Sequence, residues 1–464
     1  MIIQEEKMNN KSISETITEF VLNLKYEDIP PEVIDYAKLL LIDSLGCAEA
    51  AIDEPHAKQL FEAISKKDSH DEARLWGSDI MVDLDDAVIY NGSLIHGLDY
   101  DDTHALAITH PSSSVATAGL TIGEYLNKSG KDIITAMIAG YEVLLRLGSY
   151  ANGGLHDRAF HPTGCLNAFS SACIAGKLMG VEPLVLRNAL GICGSQAAAI
   201  LEFLNDGTDV KKIHPGWGIH SALYALDYAG YGFTGPIKVF EGVQGYFAAH
   251  IGRTEGIEEV FSDFGNRWYT SEIAFKFYPV CHWLHGFNDI LFKMEEENSF
   301  GADDIETLEC IIDERVSEVG YAAPDKLRPA TEYHQRFSLY YTIAMAAYKG
   351  RLGPKEINAE HMKDQGLLDM IDRVKIKVDP DAYVPGAFPA QLNVTLKDGR
   401  QFCGSQPYEV GNKKNPAKKE HVLRKYYDNT LDYIGKDKAD KIVEDVENFE
   451  TQTNVADILD NLKR

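Results

Sequence analysis

Apolar side chains recur at helical spacing through the first 270 or so residues, and near residue 300 the period drops to two. A chain patterned this way folds as a large helical body with a smaller α+β unit. Ser12 and Glu15 have capping-box spacing, and Ile13, Ile17, Phe20, Val21 and Leu24 follow on one stripe. Pro30 and Pro31 open the next helix, which carries Val33, Ala37, Leu40, Leu41 and Ser44 on one face. Two segments, 164–180 and 188–204, are rich in small residues, with Ala189, Cys193 and Ala197 four apart. They are expected to be closely packed helices, buried nearly all round, at the centre of the helical domain.

Beyond residue 300 the segment Ile305–Asp313 suits a strand. Val374, Ile376 and Val378 alternate with polar residues, as do Leu392, Val394 and Leu396, and the turn Lys397-Asp398-Gly399-Arg400 follows. Between these strands, Phe337–Tyr348 is helical in character. The expected fold class is mainly α, a large all-helical domain plus a smaller α+β domain. The expected limits are 1–270 with 404–464 for the first and 271–403 for the second. A length of 464 residues favours two cores over one. The C-terminal segment rejoins the helical domain because Val422, Tyr426, Ile442 and Val446 need a core to cover them.

The formal charge of −26 argues against nucleic acid and against an anionic membrane surface as partners. An anionic substrate would therefore be held by a local group of cations. No apolar run is expected to reach the roughly 20 residues of a membrane span. The opening MIIQEEKMNNKS lacks an export core. Seven cysteines without CxxC pairs read as reduced thiols in a cytoplasmic protein, and zinc-ligand spacing is absent.

Four segments carry chemistry. His96–Pro111 (HGLDYDDTHALAITHP) packs His96, His104, His110, Asp99, Asp101, Asp102 and Thr103 into sixteen positions. A helix over 90–103 would put Asp99 and Thr103 on one face. A carboxylate beside an imidazole fixes its tautomer and suits it to proton transfer, and His110, before Pro111, sits on loop-like backbone. His104 reads as incidental, and Asp101 and Asp102 as structural beside a functional Asp99. His161, also before a proline, falls at the start of a buried helix, where the dipole attracts anions. Gly207–Trp217 brings Lys211, Lys212 and His214; Lys211 is the one expected to point inward, and Lys212 to be solvated. Finally, Lys276 is embedded among aromatic residues, where an unpaired ammonium is costly. His285 lies close behind it, and Cys281 reads as a buried structural thiol.

Together these segments resemble the MmgE/PrpD family, which includes 2-methylcitrate dehydratases, cis-aconitate decarboxylases and iminodisuccinate epimerases. The matching stretches are LLLIDSLGC (39–47), HGLDYDDTH with THPS (96–112), FHPTG (160–164), GTDVKKIHPGW (207–217), KFYPVCHWLHG (276–286) and GNKKNPAKKEHVLRKY (411–426). The resemblance implies a homodimer with a cleft between two domains and catalysis without metal or organic cofactor. It places the catalytic positions at Asp99, Thr103, His110, His161, Lys211 and Lys276, with His214 and His285 as further substrate contacts. Val280 stands where many members carry a second cysteine, and His282 follows the cysteine that is kept.

The implied activity is a lyase on a small di- or tricarboxylate, by dehydration or decarboxylation. In that scheme Lys211 and Lys276 hold carboxylates from opposite domains, His110 tuned by Asp99 moves the proton, and Thr103 positions a carboxylate or hydroxyl. His161 is the partner acid or a further carboxylate ligand. An epimerase using the same groups is the alternative. A third reading takes LDYDD as a Mg2+-binding motif of a prenyl-diphosphate enzyme, which needs carboxylates facing one cleft.

Overall fold

Ser12 caps the first helix, α1 (Ile13–Asn23): its hydroxyl accepts from the Glu15 amide, and the Glu15 carboxylate answers at the Ser12 amide. Pro31 occupies the first position of α2 (Pro31–Ala51), where its missing N–H costs nothing. The computed structural model describes residues 11–464 apart from 315, 317–319 and 322–323. The stretch weighed as an export signal falls largely on residues 1–10, outside the described residues.

Further helices follow as α3 (Pro55–Ser65), α4 (Leu84–His96), α5 (Pro111–Tyr125), α6 (Gly130–Ala151), α7 (Pro162–Met179), α8 (Pro183–Cys193) and α9 (Val210–Gly230). Then come α10 (His285–Asn298), α11 (Leu339–Lys349) and α12 (Lys419–Glu447). Ile17, Leu40, Leu41, Ile138, Phe169 and Ile219 are fully buried together in one core, and Val422, Tyr426, Ile442 and Val446 of α12 join it. Each such aliphatic side chain contributes about 1.5–3 kcal/mol by burial. The second core gathers Val280, Leu284, Leu308, Ile343, Leu392 and Val394. Its sheet runs in the order β2-β1-β3-β4, with β1 Ile305–Ile312, β2 Val374–Val378, β3 Ala390–Leu396 and β4 Gln401–Gln406. β2 is parallel to β1, and β3 is antiparallel to both β1 and β4. The fold is mainly α with a smaller α+β part.

Three expectations need correction. The helix expected across 188–204 stops at Cys193, so Ala197 lies beyond it. Gly194 and Ser195 are poor helix formers, and the following chain is used elsewhere: Ala199 accepts from the His161 amide at 3.1 Å. β4 runs through residue 403, past the limit expected there, because it completes the hairpin with β3. Lastly, α6 is long and apolar enough to cross a membrane by length and composition, contrary to the expectation of no such run. Its 18-residue apolar stretch is wholly buried, and its internal Glu142 and Arg146 pair at 3.3 Å.

Candidate active site

The helix expected over 90–103 ends at His96, and Asp99 takes a left-handed backbone, φ 51°. Asp99 and Thr103 therefore share no helical face. Aspartate is among the few residues that tolerate this region, and the loop is held from outside. Three consecutive carbonyls each accept from a buried cation. Arg336 donates to Leu98 O at 2.7 Å, Lys276 to Asp99 O, and Lys425 to Tyr100 O at 2.8 Å. Lys425 is itself paired with the buried Asp43 at 2.7 Å. Cations from three remote parts of the chain thus fix one short loop.

The result is that the Asp99 carboxylate faces two ammonium groups. Lys211, one residue into α9, pairs with Oδ1, and Lys276 lies 2.8 Å from Oδ2. Lys276 has no exposed surface, and Asp99 and Lys211 have about 5% or less. Burial opposes ionisation of Asp99, yet the two lysines and His110 outweigh it and hold the carboxyl well below its ordinary range. Burial lowers the pKa of Lys276, with Asp99 opposing and Lys211 adding to the fall. The two lysines were expected on opposite domains. Instead, Lys276 sits in the connecting segment, tied to the Asp99 loop by paired amides between Thr103 and Ala274, at 2.9 and 2.7 Å. Lys212, by contrast, turns to Asp209 at the end of α9, at 2.7 Å.

His110 occupies the N-cap of α5, its amide donating to Thr163 Oγ1 at 3.0 Å. Its Nε2 is 3.8 Å from Asp99 Oδ1, and its Nδ1 is 3.5 Å from Asp101 Oδ1. These are ion-pair separations, too long for formed hydrogen bonds. Burial carries the imidazole down to about 3, against the pull of Asp101. His110 is therefore neutral at neutral pH.

The other two aspartates of the motif point away. Asp101 receives His96 Nδ1 at 2.8 Å, and Asp102 accepts from the Ser112 amide at 3.0 Å, capping α5. Three carboxylates with three separate sets of partners do not form the facing acidic pair of a Mg2+–diphosphate site.

His161 caps α7, and its Nδ1 lies 2.9 Å from Nδ1 of His214, so one imidazole donates and the other accepts. His214 stands three residues after Lys211 on the same face of α9. Pro215 lies inside that helix, and Asn167 donates to the His214 and Pro215 carbonyls at 2.9 and 3.2 Å.

A cavity of about 60 Å³ opens over Asp99, Thr103, His110 and His282, closed by Trp283 and Phe337. At roughly 10–15 Å³ per water, it has room for about four to six. Lys211, Lys276, His161 and His214 stand behind its wall. The Thr103 hydroxyl is bonded to His282 Nδ1, which leaves His282 Nε2 without a protein partner. His285 was expected at the substrate. It lies behind His282 instead, ring centroids 4.5 Å apart, and donates through Nε2 to the Val280 carbonyl at 3.2 Å. Cys281 borders the cavity, but burial pushes its thiol up to about 11, which makes it a poor nucleophile. His104, near its own loop at Ala107, plays no part in the cavity wall.

Sequence reading missed His282, Arg336 and Lys425, and treated Asp101 as structural. His282 alone had a local signal, its place inside the Lys276–Gly286 motif.

The family model for the MmgE/PrpD N-terminal domain matches residues 15–256, and that for the C-terminal domain matches 278–451. The chain belongs to the MmgE/PrpD family. Among curated relatives of this MmgE/PrpD protein is a cis-aconitate decarboxylase of Mus musculus, 24% identical over 95% of this chain and 91% of the relative. A cis-aconitate decarboxylase of Aspergillus terreus is 29% identical over 64% of this chain and 63% of its own length. A 2-methylcitrate dehydratase of Salmonella typhimurium is 20% identical over 83% of each chain. Lys276 lies between the two matched domains, which agrees with its place in the connecting segment.

The buried imidazoles of the MmgE/PrpD site have a consequence for stability. Burial lowers the pKa of His110, His161, His214, His282 and His285. Unfolding frees each to bind a proton near pH 6.5, so below that pH the unfolded state holds more protons. Stability is thus complete above about pH 6.5 and falls as pH drops, by up to about 1.4 kcal/mol per pH unit for each imidazole. Thermal melts from pH 7.5 to 5 should show a steep, monotonic loss. A flat profile would mean these imidazoles are not held neutral.

Proposed function

We propose that this MmgE/PrpD-type lyase decarboxylates a small unsaturated tricarboxylate such as cis-aconitate, without using a metal or organic cofactor. The observation that carries the reading is the pair of buried ammonium groups converging beside a neutral imidazole. The relatives named cis-aconitate decarboxylase support the choice of reaction, two of them aligning over 95% of this chain.

Each lysine has three N–H donors. The contacts described above use two on Lys276, at Asp99 O and Oδ2, and one on Lys211. The remaining donors are left for substrate carboxylates, while Asp99, which lines the cavity, holds both ammoniums directly behind its wall. A carboxylate held there loses CO2 when its C–C bonding electrons run through the adjacent double bond into the conjugated carboxylate. That carboxylate becomes an enediolate, and fixed cations lower its energy most where charge develops. A proton then adds to the carbon next to it, so one proton is consumed for each CO2 released. His110 is the group placed to deliver it. Neutral in the free protein, it gains its proton when the substrate's negative charge arrives beside it. His161 and His214, sharing one Nδ1 proton, are a reserve behind it. His282, which lines the cavity beside Thr103 and is bonded to its hydroxyl, shares the position first expected of Thr103 alone.

Dehydration of 2-methylcitrate, the second reading, would use the same imidazole to remove a proton and assist loss of hydroxide. A panel of cis-aconitate, 2-methylcitrate and iminodisuccinate, with CO2, water loss and epimerisation followed separately, tests the assignment. CO2 release from cis-aconitate as the fastest reaction is the expected outcome. Turnover of 2-methylcitrate with cis-aconitate untouched would transfer the assignment to dehydration.

A further inference from the structure

His96, Asp101 and His110 come from the last turn of α4, the following loop and the cap of α5. They present ligand atoms that all lie within 4.8 Å of one another. Asp101 stands between the imidazoles, with Oδ2 2.8 Å from His96 Nδ1 and Oδ1 3.5 Å from His110 Nδ1. A tetrahedral zinc with bonds of about 2.0–2.1 Å has ligand atoms roughly 3.3 Å apart. The two separations bracket that edge. His96 Nε2, Asp101 Oδ1 and His110 Nδ1 are all buried without a hydrogen-bond partner, so the hydrogen bonding described here does not use up the cluster's capacity.

We propose that these three residues form a transition-metal site, and that Zn2+ bound there switches the enzyme off. The donor set is two imidazoles and one carboxylate, with a fourth position left open. Both lysines are directed at Asp99, not Asp101, although Lys276 is near enough to act on the Asp101 carboxylate. On binding, the His96 proton leaves Nδ1 for the vacant Nε2, so no redox step or co-reactant is required. The route in is the cavity: His110 retains 14% side-chain exposure, whereas His96 and Asp101 are fully enclosed. An ion bound through His110 Nδ1 competes with the proton that imidazole must carry. Mg2+, which prefers six oxygen ligands, is poorly matched by two imidazoles and one carboxylate.

Co2+ is the probe, because tetrahedral cobalt absorbs strongly in the visible whereas octahedral cobalt does not. EDTA-treated enzyme should bind one Co2+ per chain with the tetrahedral spectrum, lose it to equimolar Zn2+, and keep it in excess Mg2+. Asp101→Asn and His110→Gln should abolish the spectrum, and His161→Gln should retain it. Since Asp101 is fully enclosed and its variant can lose the fold, His110→Gln at the cavity edge, checked by circular dichroism, is decisive. Its affinity loss should exceed the roughly 10–100-fold that removing an outer-shell partner costs. Absence of the tetrahedral spectrum, or its persistence in His110→Gln, overturns the site. Zn2+ should inhibit turnover at one equivalent, reversibly with EDTA, and a spectrum without inhibition overturns the switch. Only this inhibition arm rests on the proposed reaction, so a wrong substrate assignment leaves the spectral test intact.

Discussion

Lys276→Met is expected to lower kcat by about 10²–10³-fold, the cost of removing one preorganised charge-stabilising donor from a water-poor site. Methionine keeps most of the volume of the lysine stem, so packing against the first core is largely preserved. Asp99 keeps Lys211 as its partner, and no buried cation is stranded. The loop does lose one of its three carbonyl clamps, at Asp99 O, while those on Leu98 and Tyr100 remain. Steady-state kinetics with the best substrate, beside a thermal melt, separate the two effects. A near-native melt with kcat reduced at least 100-fold supports the catalytic role. Wild-type kcat in a folded variant would remove Lys276 from the mechanism, and Lys211→Met is expected to behave alike.

Asp99→Asn is expected to damage folding as well as turnover. It leaves two ammonium groups facing each other in a buried site with only a neutral amide between them. Removing one partner of a buried pair typically costs about 3–5 kcal/mol. Here two cations lose the same partner, so denaturant unfolding should show a loss at the upper end of that range. The αL backbone at Asp99 adds nothing to the loss, since asparagine tolerates φ > 0 as well as aspartate. Because both lysines would also lose their aim, restored stability, by osmolyte or by low temperature, should not restore activity. Full activity in stabilising conditions would show that Asp99 only holds the fold.

Much of this was legible in the residues. The cap at Ser12, the strand alternations and the return of α12 to the helical core follow from periodicity, which reports which face of an element is buried. Lys211 and Lys276 were selected because ammonium groups stand out in so acidic a chain. Their convergence on one carboxylate was not legible, since Asp99, Lys211 and Lys276 are joined only by tertiary packing. For the same reason the carbonyl clamp by Arg336 and Lys425 left no sequence trace: backbone acceptors carry no identity. The helix predicted through Asp99 failed because propensity is local, whereas the left-handed turn is imposed by three distant cations. Thr103 and His285 were assigned to substrate from the family pattern. His282, two residues after Val280, where the chain departs from that pattern, engages the threonine hydroxyl and stands in front of His285.

The central claim is that the lysine pair and His110 together exchange CO2 for a proton on one substrate. Turnover of cis-aconitate in D2O, followed by NMR, tests it directly. The expected product carries one deuterium on the carbon next to the conjugated carboxylate for each CO2 released, and both signals fall together in Lys276→Met. Deuterium entering the recovered substrate without CO2 release would contradict the account and place the chain with proton-exchanging epimerases.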